Sequence, residues 1–273
     1  MKRLITAAIG IPLVLAAIFT LPSWGFGLVI LAVFLWAAKE YIGILELSAP
    51  GAPLVVLYPL VALGAAGLGW LPRESWPSGD ARLFVTVAGL SIGLAVVVLL
   101  ARTPIESGFA ATTGLAFATA YFVLPVACFY RLHVYDRWLV ILLLAIVWCG
   151  DSAAYYVGKS LGRRKLAPRV SPNKTWEGAV AGMVASLAAA ALWGLWRLGE
   201  PSSRLLLLAA VTAIAAQLGD LFESLVKRGA GVKDSGAVLP GHGGFWDRLD
   251  ALFFAAPALY LGLRLLGPRL TLP

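Results

Sequence analysis

The sequence predicts an all-α fold, a polytopic transmembrane helical bundle of about nine spans with the N-terminus in the cytoplasm. Three observations lead there. Hydrophobic residues make up 60% of the chain and charged residues only 13%, with a mean hydropathy of +0.86, and a water-soluble domain of that composition would expose large apolar patches. The apolar residues are gathered into runs of roughly 16 to 22, close to the roughly 20 a helix needs to cross a bilayer core. These runs are continuously apolar, whereas the strands of a spanning barrel alternate, so a barrel is excluded.

Charges and Pro/Gly clusters delimit spans at about 4–21, 24–43, 53–71, 82–100, 110–130, 138–157, 178–198, 204–224 and 249–267. Met1-Lys2-Arg3 before an apolar run also fits a secretory signal. Leu21-Pro22-Ser23-Trp24 lacks the small-residue cleavage pattern, however, and a second span follows at once, so a retained helix is expected. Placing the N-terminus and segments 39–52, 101–109, 158–177 and 225–248 on one side collects fourteen of the 22 basic residues there. The positive-inside rule makes that side cytoplasmic.

The span after Trp176 carries Gly178, Gly182, Ser186 and Ala190 at intervals of four, a stripe that lets another helix approach closely. Its partner, a neighbour in the chain or a second copy, is open at this level. Trp24, Trp70, Trp76, Trp138, Trp196 and Trp246 fall near span ends, as expected of an interfacial aromatic belt. His133 is expected on an outer surface. Cys128 and Cys149 lie in apolar runs without metal-ligand spacing and read as packing residues. The net charge of +8 gives no case for nucleic acid.

Acids and bases concentrate at membrane boundaries in the last third of the chain, where an ionised group is costly unless it meets water, a metal or a partner. The first cluster starts at Asp151 and continues through Arg163-Arg164-Lys165 to Ser171-Pro172-Asn173-Lys174-Thr175. Lipid anchoring explains the basic run. Hydroxyl, amide and ammonium groups at the mouth of a helix instead suit phosphate. In the second cluster Asp220, Glu223, Ser224 and Lys227 share a helical face by spacing, a pattern that also fits a salt-bridge ladder. The third, Gly229 to Asp250, is rich in glycine and brings Lys233, His242, Asp247, Arg248 and Asp250 to the start of the last span. Its carboxylates, three residues apart, suit a hard cation such as magnesium.

The run SLVKRGAGVKDSGAVLPGHGGFWDRLD, Ser224 to Asp250, resembles the signature of the phosphatidate cytidylyltransferase family, the CDP-diacylglycerol synthases. The stretch from Asp151 through Gly178 resembles the family's cytoplasmic region. Residues 1–135 are then N-terminal transmembrane helices, and 136–273 a C-terminal catalytic region with cytoplasmic loops 158–177 and 225–248. The resemblance implies an enzyme of the bacterial cytoplasmic membrane, often a homodimer, whose active site faces the cytoplasm. It would use CTP or dCTP and phosphatidic acid with Mg2+, and K+ is a candidate to share the acidic site.

On that basis Asp220 and Asp247 are the leading metal ligands, with Asp250 and Asp151 as further candidates. Asp220, Asp247, Lys227, Arg228, Lys233 and His242 form the expected catalytic set. Ser171, Asn173, Lys174, Thr175, Ser224 and Arg248 are the expected substrate-binding set. Two rivals stay open: a transporter, whose paired halves are not visible in the sequence, and an enzyme using CTP on another lipid phosphate or alcohol.

Overall fold

The computed structural model describes residues 2–69, 78–101, 103–236 and 243–266. Among these, nine α-helices follow one another: α1 Lys2–Thr20, α2 Ser23–Glu46, α3 Leu57–Gly69, α4 Ser78–Leu100, α5 Ile105–Tyr135, α6 Arg137–Leu161, α7 Trp176–Leu198, α8 Ser203–Gly229 and α9 Trp246–Leu266. Helices α2, α5, α6, α7, α8 and α9 are each long and apolar enough to cross a membrane. The apolar stretches Gly10–Thr20, Leu54–Ala66 and Gly89–Leu100 are shorter. The chain is an all-α, polytopic integral membrane protein. Two helix starts follow from capping chemistry: Asp136 accepts from Trp138 N at 2.9 Å before α6, and Thr175 Oγ1 accepts from Gly178 N at 3.1 Å before α7. Gly199, at φ 79, supplies the left-handed residue that ends α7.

Two compact units are distinguished, Met1–Tyr130 with Ala230–Arg248, and Arg131–Gly229 with Leu249–Pro273. In the second unit the small-residue stripe of α7 has its partner within the chain, on α6. A methyl group added at Gly178 would stand 2.7 Å from the Ala154 carbonyl oxygen, and one at Gly182 would stand 2.9 Å from that of Gly150. Only residues without a side chain allow so close a crossing, and Ser186 Oγ seals it by donating to Ile146 O at 2.7 Å.

The connection between α6 and α7 is more ordered than an irregular loop. Strands β1, Lys165–Ala167, and β2, Ser171–Thr175, pair antiparallel, with Lys165 opposite Thr175 and Ala167 opposite Ser171. The Glu177 carboxylate closes the hairpin's entry by accepting from Arg163 N at 3.1 Å and Arg164 N at 3.2 Å. Trp176 N donates to Arg164 O at 2.9 Å.

Two sequence expectations are corrected. His133 is buried in the last turn of α5, because that helix continues to Tyr135 and a single residue, Asp136, separates it from α6. Trp246 does not belong to an interfacial belt. It is fully buried in the first unit, where its indole N–H donates to Tyr121 Oη at 3.1 Å and its ring meets Tyr41 edge-on at 5.4 Å. Trp70 and Trp76 lie outside the described residues.

Candidate active site

The acids of the second unit converge. Asp220 and Glu223, one turn apart on α8, and Asp250, in the second turn of α9, each offer a carboxylate oxygen, all within 4.8 Å of one another. Gly219 makes this possible. A methyl there would sit 2.6 Å from the Asp250 carbonyl oxygen, so the backbones of α8 and α9 approach at the residue beside Asp220. Asp151 of α6 lies within electrostatic reach of Asp220 and Asp250.

Like charges so placed repel. At an effective dielectric constant of about 20, two ionised carboxylates under 5 Å apart cost about 3–4 kcal/mol. Part of this is offset by Lys174, which reaches from β2 to place Nζ 2.5 Å from Asp220 Oδ2, and by Lys227, which pairs with Glu223 at 3.0 Å one turn along α8. Two ammonium groups thus face four carboxylates. The hard oxygen donors and the excess negative charge fit a divalent cation such as magnesium.

The remaining predicted residues are placed as follows. Thr175 is buried and caps α7, while Ser171 is half-buried and Asn173 exposed on the same strand. Ser224 is half-buried on α8, and Arg228 is exposed in its last turn. Lys233, Asp247 and Arg248 belong to the first unit. Asp247 Oδ2 accepts from Gly244 N at 2.7 Å, Ser235 Oγ at 3.0 Å and Ser235 N at 3.1 Å. His242 lies outside the described residues. Two acids carry more than the sequence assigned them. Glu223, on the Asp220 face, completes the acidic trio, and Glu40 of α2 binds the start of α9. An acid near the end of an apolar run was the available signal for Glu40.

Lys174 gives a direct check on this arrangement. If Lys174 meets a phosphate of the nucleotide that the resemblance implies, Lys174→Ala is expected to weaken that interaction at least about tenfold, since a charge-assisted contact to phosphate contributes about 1.5–3 kcal/mol. The apparent KM for CTP measures it, and an unchanged nucleotide dependence would leave Lys174 as a partner of Asp220 alone.

A polytopic helical bundle that gathers carboxylates and ammonium groups from two helices, a third helix start and a hairpin defines a class, the integral membrane proteins with a charged polar centre. The chain matches the Cytidylyltransferase family over residues 1–266 and belongs to it. It is 30% identical over 278 residues to the phosphatidate cytidylyltransferase of Haemophilus influenzae, covering 94% of this chain and 96% of that one. It is also 50% identical over 121 residues to the phosphatidate cytidylyltransferase of Bacillus subtilis and 49% identical over 122 residues to that of Brucella suis. In these two matches the chain spans under half of the relative's length, 45% in each.

Proposed function

We propose that this protein transfers the cytidylyl group of CTP to phosphatidic acid, giving CDP-diacylglycerol and pyrophosphate for phospholipid synthesis. The observation that carries the reading is the convergence of Asp220, Glu223 and Asp250 beside Lys174, in a chain similar along almost its whole length to a protein named for that activity. A phosphate oxygen of phosphatidic acid forms a bond to the α-phosphorus of CTP, and the bond from that phosphorus to the bridging oxygen of the β-phosphate breaks. The electron pair leaves with pyrophosphate, so no protein nucleophile is needed.

Both reactants are anions, and the barrier lies in bringing them together in line. Magnesium, held by Asp220, Asp250 and Glu223 with Asp151 nearby, would supply charge neutralisation at the phosphates. Potassium is the proposed second ion, and Asp247 is proposed as a metal ligand on its own segment. Lys174 exchanges part of its pairing with Asp220 for a phosphate oxygen, and Lys227 keeps Glu223 oriented. Arg228, Lys233 and Arg248 hold the triphosphate and the leaving pyrophosphate, and His242 belongs to the same phosphate-binding segment. Ser171, Asn173 and Ser224 line the nucleotide, and Thr175, buried as the cap of α7, supports the strand that carries Lys174. dCTP serves as an alternative donor, the working form is a homodimer, and the site faces the cytoplasm from the bacterial inner membrane, where the basic segments lie.

Purified protein supplied with phosphatidic acid, magnesium and labelled CTP tests the reaction. Label from the α-phosphate is expected in lipid and label from the γ-phosphate in pyrophosphate. Transfer of the γ label to lipid would establish a kinase instead.

A further inference from the structure

We propose that Glu40 is a positioning residue for this reaction, fixing from α2 the segment that carries Lys233, Asp247 and Arg248; the inference rests on the cytidylyltransferase reading above. Glu40 is 8% exposed, on a helix whose neighbours are almost all apolar. Its two oxygens serve three donors. Oε1 accepts from Phe245 N at 3.0 Å, and Oε2 accepts from Trp246 N at 2.9 Å and Ser235 Oγ at 2.7 Å. Phe245 N and Trp246 N are amides at the entry to α9, which have no partner within the helix, and an acid there also meets the positive end of the helix dipole.

The same anchor reaches Asp247. The Ser235 hydroxyl stands between Glu40 Oε2 and Asp247 Oδ2, at 2.7 and 3.0 Å, and its single proton can serve only one of them at a time. Gly244 lies so close that a methyl there would overlap both the Glu40 carboxylate and Ser235 Oγ. Next to Glu40, Tyr41 packs edge-on against Trp246 at 5.4 Å, and its hydroxyl donates to Gly114 O at 3.0 Å. Glycine-rich backbone such as Gly243-Gly244 has little rigidity of its own. A carboxylate projecting from a packed helix supplies it.

Glutamine is the discriminating replacement, being the same size but carrying an NH2 group in place of one acceptor. Whichever way the amide turns, that NH2 faces a backbone N–H, and one amide at the α9 entry loses its acceptor. Glu40→Gln is therefore expected to lower kcat at least about tenfold and to raise the half-saturating magnesium concentration about tenfold, the scale seen when a group supporting a ligand is lost. In the same variant, hydrogen exchange of residues 243–249 is expected to quicken while the melting temperature in detergent shows a folded protein.

Turnover within twofold of the unsubstituted protein, or lost turnover with unchanged exchange at 243–249, would overturn the proposal. If Glu40→Gln is not recovered folded, Ser235→Ala, which removes the hydroxyl between the two carboxylates, is read by the same measurements with the same expected directions. An unsubstituted protein that incorporates no α label would refute the reaction instead, and the exchange measurement would still decide whether Glu40 fixes the segment.

Discussion

Asp250→Asn is expected to lower turnover at least about 100-fold, the scale of losing a principal electrostatic contribution, in a protein that folds at least as stably as the original. The two halves of this expectation come from one arrangement. Asp250 faces Asp220 and Glu223 within 4.8 Å, and an amide in its place removes the repulsion with both, which Lys174 and Lys227 offset only in part. Asparagine keeps the size of the side chain and can still accept the 2.7 Å hydrogen bond from Ala251 N. Melting temperature without added cation should therefore hold or rise, while label transfer from CTP collapses and the protein's response to magnesium weakens. Activity within tenfold of the original would remove Asp250 from the cation site. A lower melting temperature would show that its carboxylate serves the fold.

Much of this architecture was legible because hydropathy and punctuation act locally. Each of the nine predicted spans overlaps a helix among the described residues, but six of these are long and apolar enough to cross a membrane; ends are displaced where polar residues continue the helix, as at Lys227 and Arg228 in the last turn of α8. The shared face of Asp220 and Glu223 followed from a spacing of three on α8. The pairing of β1 with β2 did not, since strands of three and five residues with a proline and two lysines leave no alternating pattern to read. Nor did the positions of Trp246 and Glu40. Both are fixed by partners far along the chain, Tyr121 and the entry to α9, and a propensity argument has no access to such contacts. The stripe on α7 announced a close helix crossing, but choosing its partner needed the matching glycine, Gly150, on α6.

Gly219→Ala sets two opposing effects against each other, and the packing term is expected to win. Alanine within a helix is favoured over glycine by about 1 kcal/mol, so an unobstructed site would be stabilised. At Gly219 the added methyl would meet the Asp250 carbonyl oxygen at 2.6 Å and the Ala251 Cα at 3.4 Å. Both are backbone atoms and cannot turn aside. Relief requires α8 and α9 to move apart, and overpacking of this kind costs typically about 1–3 kcal/mol. The separation falls between Asp220 and Asp250, whose oxygens must stay together to share the proposed cation. A displacement of about 1 Å in a reacting constellation can cost about 100-fold in rate, so turnover is expected to fall on that scale, more steeply than stability. Gly229→Ala is the matched control, on the same helix with nothing within 4 Å of the added methyl, and is expected to hold or raise stability and to keep turnover close to the original. Equal behaviour of the two variants in melting temperature and label transfer would mean that the close approach at Gly219 does not hold the acids in place.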